Sequence, residues 1–236
     1  MTRDVAVILA AAGKSSRFKD PFSKKVYTLC SGKPVWQHSA QLFTDHPRVG
    51  QVILAIAQED RELVREKFAP TITMFGIDVV TGGAERSDTI QNALQRVRPD
   101  MKYVAVHDAA RPCLTTIAFN AVLAAAENHQ AAVLASPIRG TVKRCNAQNQ
   151  IEETVSREGL WQAQTPQVFE TELLKSAYAQ ILGSPTDDSQ VVEAFGKRVV
   201  CVEGSERNIK ITTKEDLKIA EAFLKAPTRS RDNPFF

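Results

Sequence analysis

Several short segments hold residues whose types and spacing suit work on phosphate. The first is Ala11-Ala12-Gly13-Lys14-Ser15-Ser16-Arg17, directly after an aliphatic run. Small residues let backbone amides approach an anion, and a basic residue then meets its charge. Gly13-Lys14-Ser15 mimics the end of a P-loop. A P-loop needs a glycine five residues before Gly13, and Ile8 stands there, so the match fails at the residue that would shape the loop. The dinucleotide fingerprint fails too, because Gly13 is the one glycine present. The second segment is a lysine pair, Lys24-Lys25, in a loop. The third is Gly82-Gly83-Ala84-Glu85-Arg86-Ser87-Asp88-Thr89. Its glycines give backbone freedom, and Arg86 and Thr89 are candidate donors to a nucleotide; the competing reading is a helix start capped by Ser87 or Asp88. The fourth is His107-Asp108-Ala109-Ala110-Arg111-Pro112. An acid at the end of an apolar strand suits Mg²⁺ beside phosphates. A helix cap or an Asp–Arg ion pair would also explain Asp108. His107 reads as structural, as do His38, His46 and His129, which lack metal-ligand spacing. Near the end, Asn208-Ile209-Lys210-Ile211-Thr212 reads as a short alternating strand, with a helix opened by Lys214-Glu215-Asp216-Leu217.

The elements that must position these residues alternate in kind. Strand-like runs fall at Val5–Ala11, Gln51–Ala57, Ile77–Val80, Tyr103–His107, Ala131–Ser136 and Arg198–Val202. Helical periodicity falls at Val35–Phe43, Arg61–Phe68, Asp88–Val97, Ile117–Asn128 and Glu172–Leu182. This alternation predicts an α/β fold with a mostly parallel sheet and helices on both faces. Ligands of such sheets sit at the carboxyl ends of the strands, where the first, third and fourth segments lie. One region breaks the pattern. Thr141–Cys145 and Ile151–Ser156 flank the polar turn Asn146–Gln150, which predicts a β-hairpin projecting from the sheet. Such an arm has little core of its own and suits an oligomer contact. Pro227–Phe236 reads as a mobile tail.

Composition narrows the classes of function. The 236 residues are 43% hydrophobic and 24% charged, which is ordinary for a globular chain and excludes disorder as the main state. The net charge of +3 is too small to argue for nucleic-acid binding, yet it allows a local basic pocket. The apolar runs are strand-sized, so no membrane span is expected. Met1 to Asp4 lacks the basic start and cleavage site of a signal peptide. Cys30, Cys113, Cys145 and Cys201 form no Cys-x-x-Cys pair and read as partly buried small hydrophobes, with reduced thiols expected in a cytoplasmic protein.

A family resemblance rests on six motifs in order: Ala11-Ala12-Gly13…Arg17, the lysine near position 25, Gly82-Gly83…Arg86, His107 to Pro112, Trp161-Gln162-Ala163-Gln164-Thr165-Pro166-Gln167, and Asn208 to Thr212. The chain resembles the 2-C-methyl-D-erythritol 4-phosphate cytidylyltransferases from about residue 4 to 225. The resemblance implies a Rossmann-like, mostly parallel sheet of a nucleotidyltransferase, one domain over residues 1–226 with an arm at about 137–160. It implies that CTP and methylerythritol 4-phosphate give the cytidyl diphospho-sugar-alcohol and pyrophosphate, with Mg²⁺, in a homodimer whose arms exchange contacts. Ala11, Ala12, Gly13, Gly82, Gly83 and Ala84 would then line the cytidine and ribose, with Arg86, Thr89 and Ala109 nearby. Arg17 and a lysine would grip the triphosphate, Asp108 would hold Mg²⁺, and Lys210 would lie near the reacting phosphate. Arg111, Arg157 and Thr165 would meet the acceptor substrate, joined by Thr141 on the arm and Thr186 from a loop contacting the partner subunit.

The implied chemistry suits these residue types. A phosphate monoester is already a nucleophile, so cations and orientation suffice without a nucleophilic serine, histidine or cysteine. Two departures stand out. Ser15 replaces a glycine common in the first loop, which suggests a slightly reshaped turn. Ser23-Lys24-Lys25 replaces the usual Pro-Lys pair. Spacing from Arg17 favours Lys24 as the catalytic lysine, while ungapped alignment to Gly32-Lys33-Pro34 favours Lys25; Lys25 is preferred, with Lys24 open. The alternatives are a ribitol-5-phosphate cytidylyltransferase, a P-loop phosphotransferase and a non-catalytic nucleotide-binding module.

Overall fold

The computed structural model describes residues 2–18, 24–181 and 183–225. Its first strand, β1 (Val5–Ala10), is apolar at every position because both of its faces are covered. Val5, Val7 and Leu9 join one core and Ala6 and Ile8 the other, as a period of two requires. A small ribbon follows, β2 (Leu29–Cys30) and β3 (Lys33–Pro34), then helix α1 (Val35–Thr44). Next come β4 (Val49–Ile56), a 3₁₀ turn at Gln58–Asp60, α2 (Arg61–Phe75), β5 (Ile77–Thr81) and α3 (Arg86–Leu94). Then follow β6 (Tyr103–Asp108), α4 (Thr116–His129) and β7 (Ala131–Pro137). The ribbon β8 (Val142–Cys145) and β9 (Ile151–Val155) precedes β10 (Trp161–Glu170). The chain continues through α5 (Thr171–Ala179), α6 (Asp188–Ala194), β11 (Val200–Glu203) and α7 (Lys214–Lys225).

Seven strands form the main sheet in the order β11-β7-β10-β6-β1-β4-β5. β10 is antiparallel to both neighbours and every other pairing in this sheet is parallel. Buried side chains of α1, α2 and α4 fill the core on one face, and those of α3, α5 and α6 fill the other. α7 closes a third, smaller cluster of Phe18, Cys30, Val35, Ile211 and Ala220. Among the described residues β8 and β9 pair with each other alone, in a separate antiparallel ribbon that is largely exposed, so the expected hairpin is present. Thr141 sits just before it.

Several expectations need correction. The helix expected to end at Phe68 runs through Pro70 to Phe75. A proline inside a helix removes a hydrogen bond, but Leu63, Phe68, Ile72 and Phe75 pack on the core along this helix and offset that loss. It stops at Gly76, whose φ of 62° lies in the left-handed region. α3 starts at Arg86, not Asp88. Glu85 is the N-cap, and Asp88 acts from the third helical position by accepting from the Glu85 N–H. The Trp161–Gln167 motif lies in β10, which alternation did not reveal because Gln164, Thr165 and Gln167 are buried polar residues. α6 lies outside the helices that periodicity predicts. Asn208–Thr212 is not a strand: Ile211 makes one backbone bond, to the Ala110 oxygen, and its side chain enters the third cluster. Cys30 and Cys113 are buried or half-buried, but Cys145 and Cys201 are exposed, since they lie on the hairpin and on the edge strand β11. The tail Pro227–Phe236 lies outside the described residues.

The first core depends on aromatic packing under the sheet. Phe119 is fully buried and meets Phe43 edge-on at 5.1 Å and the His46 ring at 4.8 Å. Phe119→Ala should therefore cost about 3–5 kcal/mol in urea unfolding, the range for deleting a buried aromatic ring. A loss under about 1 kcal/mol would contradict this packing.

Candidate active site at the carboxyl edge of the sheet

β1, β4, β5 and β6 are mutually parallel, so their carboxyl ends share one edge. There the chain leaves a cavity of about 810 Å³. Its wall contains Ala11, Ala12 and Gly13 after β1, Gly82, Gly83 and Ala84 after β5, and Asp108 at the end of β6. Lys14, Lys25 and Lys210 bring positive charge, and Glu59, Arg86 and Thr89 complete much of the rim.

Close backbone contact shapes the wall. A Cβ on Gly82 would lie 2.7 Å from the Thr89 hydroxyl and 2.8 Å from Ala12 Cβ, so only glycine lets the two loops touch. A Cβ on Gly83 would overlap that of Asp88. Gly13 faces open space, where an added Cβ meets nothing within 4 Å. The Ala11 and Gly82 amides donate to β4 carbonyls, which fixes the loops to the sheet edge. Ser15 adopts a φ of 54°, in the left-handed region that favours glycine, and its hydroxyl accepts from the Lys25 N–H at 3.3 Å. Ser15 thus holds a glycine-like turn and adds a tie to the lysine segment.

Asp108 organises the cations. Its Oδ2 accepts from Lys210 Nζ at 3.0 Å and from Arg111 Nε at 3.2 Å. Burial works against its charge, but Lys210, Arg111 and Arg86 outweigh burial and hold the carboxyl well below the usual carboxylate range. The competing reading of Asp108, an Asp–Arg pair, is therefore present, and the carboxylate is shared with Lys210. Arg111 does not line the cavity; its other bond runs to the Asn208 oxygen at 2.7 Å. Behind Asp108, the fully buried His107 stays neutral, because burial pushes it down to about 4. Its Nε2 meets the Arg111 carbonyl at 3.2 Å and must donate there. Nδ1 then accepts from the Thr165 hydroxyl at 3.0 Å, which in turn accepts from the Asp108 N–H at 3.0 Å. Thr165 is buried in this chain of bonds rather than presented to the cavity. The structural reading of His107 holds.

The two lysines separate. Lys24 donates to Glu59 at 2.8 Å and to the buried Asp60 at 2.9 Å, and Tyr27 also donates to Asp60. Lys25 lines the cavity. Burial, then repulsion from Lys210 and Arg17, lowers its ammonium to about 8. Two expected donors, Arg86 and Thr89, and the expected nucleotide neighbour Ala109 are engaged elsewhere. Both terminal nitrogens of Arg86 donate to Asp188, Thr89 bonds within its own loop to Gly83 and Glu85, and the Ala109 amide bonds to Ala10. Arg17, Thr141, Arg157 and Thr186 are exposed and outside the cavity wall. Arg157 donates to the Arg139 carbonyl and Thr186 to Gln190.

Residues that sequence reasoning missed include Asp60, Glu59, Asp187 and Asp188. The Asp187-Asp188 pair is a helix-start signal that could have revealed α6. Nothing local could have joined Asp188 to Arg86, 102 positions away. Ile8 is fully buried within β1, which removes the P-loop alternative.

The Lys25 shift can be read directly. With ¹³C-methylated lysines, one resonance should titrate near pH 8 and vanish in Lys25→Arg. Asp108 raises the Lys25 value, so Asp108→Asn should move that titration lower still. Titration of Lys25 near the ordinary lysine value of about 10.4 would contradict the crowding of cations.

Comparisons with known proteins agree with this geometry. The family model for 2-C-methyl-D-erythritol 4-phosphate cytidylyltransferase, IspD, matches residues 5–226. The enzyme of that name from Rhodopirellula baltica is 40% identical, over 93% of this chain and 94% of its own length. Its counterpart from Solibacter usitatus is 38% identical over 94% and 96%. The crystal structure of the same-named enzyme from Thermus thermophilus aligns with a TM-score of 0.75 at 28% identity, over 96% of this chain and 100% of that one. A cavity at the carboxyl edge of a mostly parallel sheet, with three lysines on its wall beside Asp108, is thus joined to a match that spans sequence and fold together: the chain belongs to the 2-C-methyl-D-erythritol 4-phosphate cytidylyltransferases.

Proposed function

We propose that this protein joins CTP to 2-C-methyl-D-erythritol 4-phosphate, giving 4-diphosphocytidyl-2-C-methyl-D-erythritol and pyrophosphate. The observation that supports it best is the gathering of Lys25 and the Lys210–Asp108 pair in one cavity without a serine, cysteine or histidine in its described wall. Such a site can bring anions together, and its described wall presents no serine, cysteine or histidine nucleophile. The substrate phosphate, already a nucleophile, would supply the attacking oxygen. It bonds to the α-phosphorus of CTP in line, the bond to the β-phosphate oxygen breaks, and pyrophosphate leaves. Ala11 to Gly13 and Gly82 to Ala84 would hold the cytidine and ribose. Lys25 and Arg17 would grip the triphosphate, and Lys210 would meet the reacting phosphate. Arg86 and Thr89 would shape the nucleotide loop rather than bind through their side-chain donors. Arg111 and Thr165 would set Asp108 and its surroundings for the acceptor, with Thr141, Arg157 and Thr186 at the exposed outer side.

The donor set fits Mg²⁺. Asp108 supplies one fixed carboxylate, and the described residues contain no cluster of three or more acidic, histidine or cysteine ligands. Mg²⁺ commonly binds through one or two carboxylates plus substrate phosphates and water, so Asp108 would hold it. When bound, the ion would neutralise charge building on the phosphates. The hairpin would join two copies into a homodimer, a role supported by exposed Ile151, Leu160 and Trp161 on and beside it. Both substrates are small phosphate esters, and cytoplasmic work on them involves neither nucleic acid nor bilayer. Among the described residues no helix is long and apolar enough to cross a membrane.

The test is pyrophosphate release from CTP and Mg²⁺, in parallel with methylerythritol 4-phosphate and ribitol 5-phosphate. Turnover should strongly favour the first; preference for the second would replace the acceptor, and silence with both would end the proposal. Lys25→Ala should cost about 2–4 kcal/mol of barrier, on the order of 30- to 1,000-fold in rate. Lys24→Ala should cost less, and the reverse ranking would exchange their roles. The Lys25 ammonium is present below about pH 8 and lost above it, so kcat/KM for CTP should fall through that pH. Lys25→Arg should abolish that fall, because its guanidinium keeps its charge.

A further inference from the structure

Arg86 lines the cavity, yet its guanidinium is turned away from service as a phosphate ligand. Nη1 donates to Asp188 Oδ1 at 3.0 Å and Nη2 to Oδ2 at 2.6 Å, a two-pronged grip. Asp188 is fully buried and also accepts from the Tyr178 hydroxyl at 2.6 Å. Asp188 opens α6, and the residues beside it reach elsewhere. Asp187 accepts from Gln167 Nε2 at 2.9 Å, and Gln167 Oε1 accepts from the Ser189 N–H at 2.9 Å. The Thr186 N–H and hydroxyl both donate to Gln190 Oε1, at 2.7 and 3.1 Å. One short segment is thus tied to the nucleotide loop through Arg86 and to β10 through Gln167. Two positions before Gln167, Thr165 holds the Asp108 N–H.

We propose that Asp188 is a positioning residue that sets the nucleotide loop in register with the acceptor-side segment at Thr186. The inference rests on the proposed reaction and assigns a determinant of its geometry. A two-pronged carboxylate–guanidinium pair fixes angle as well as distance. A buried ion pair is weak evidence of stabilisation, since apolar replacements of similar volume are often no less stable. Stability alone therefore does not account for this one. Precision does: transfer needs two phosphates aligned in line, and a misplacement of about 1 Å can cost on the order of 100-fold in rate. Asp188 does not line the cavity, so it acts through Arg86 and through the segment that bears it.

The experiment measures kcat and KM for CTP and for methylerythritol 4-phosphate separately, with a thermal melt on each protein. Asp188→Asn keeps the size and an acceptor for Tyr178 but removes the charge. Its kcat/KM should fall about 10- to 100-fold for both substrates at temperatures where it is fully folded. Arg86→Lys keeps the charge but loses the fork. It should raise the KM for methylerythritol 4-phosphate as well as that for CTP, although Arg86 stands on the nucleotide loop. A purely structural pair would lower the melting temperature and leave both substrates' constants within about twofold of native below it. That result, or an effect confined to CTP, overturns the inference. If Asp188→Asn does not fold, Arg86→Lys decides by the same criterion. An inert native protein overturns the reaction and this inference together, whereas an active native protein with unchanged variants overturns the inference alone.

Discussion

The constraint on which the site depends is the repulsion among its own cations. Lys14, Lys25 and Lys210 place positive charges side by side on one cavity wall. Lys25 shows the strain of this, with its ammonium lowered to about 8 by burial and by its neighbours. Asp108 is the counterweight. It binds Lys210 and Arg111 on one oxygen, and its charge persists despite burial because those cations surround it. The carboxylate is itself fixed from behind through Thr165 and neutral His107. A neutral imidazole matters here, since another positive charge would have to be buried beside cations already crowded together.

The rest of the fold delivers chain ends to that carboxylate. β6 ends on Asp108, β1 opens the Ala-Ala-Gly turn and β5 opens the Gly-Gly turn. Contact between Gly82 and Ala12 joins the two turns into one wall. Adjacent lysines then diverge: Glu59 and Asp60 take Lys24, and Lys25 faces the cavity. The anchored lysine steadies the segment that bears its neighbour. β10 runs against its neighbours and brings polar Gln164, Thr165 and Gln167 into the buried sheet, where each finds hydrogen-bond partners. A strand of aliphatic residues there could not have linked Asp108 to α6.

The legible features were those with a local cause. Apolar runs such as Val5–Ala10 announce strands buried on both faces, and the helices between them imply a parallel sheet. The hairpin showed through its polar turn. The loops after β1, β5 and β6 were identifiable because glycine, lysine and aspartate do distinct things beside an anion. Features with a non-local cause were hidden. β10 lacks alternation because its polar residues are satisfied by distant partners. Asn208–Thr212 alternates like a strand but is drawn off the sheet, with Asn208 bonded to the Thr165 carbonyl and Ile211 buried against α7.

The sequence by itself determined the fold class, the edge of the sheet where the site lies and the anionic character of its ligands, because hydrophobic period, glycine freedom and charge type are properties of residues in order. Only the tertiary structure decided which cation is available. It turned Arg86 onto Asp188, sent Lys24 to Asp60, withdrew Thr165 into a buried chain of bonds and left Lys25 and Lys210 on the cavity wall. The physical reason is that pairing depends on distance in space. A charged side chain takes the partner that folding brings within about 3 Å, whether that partner lies one residue or a hundred away along the chain.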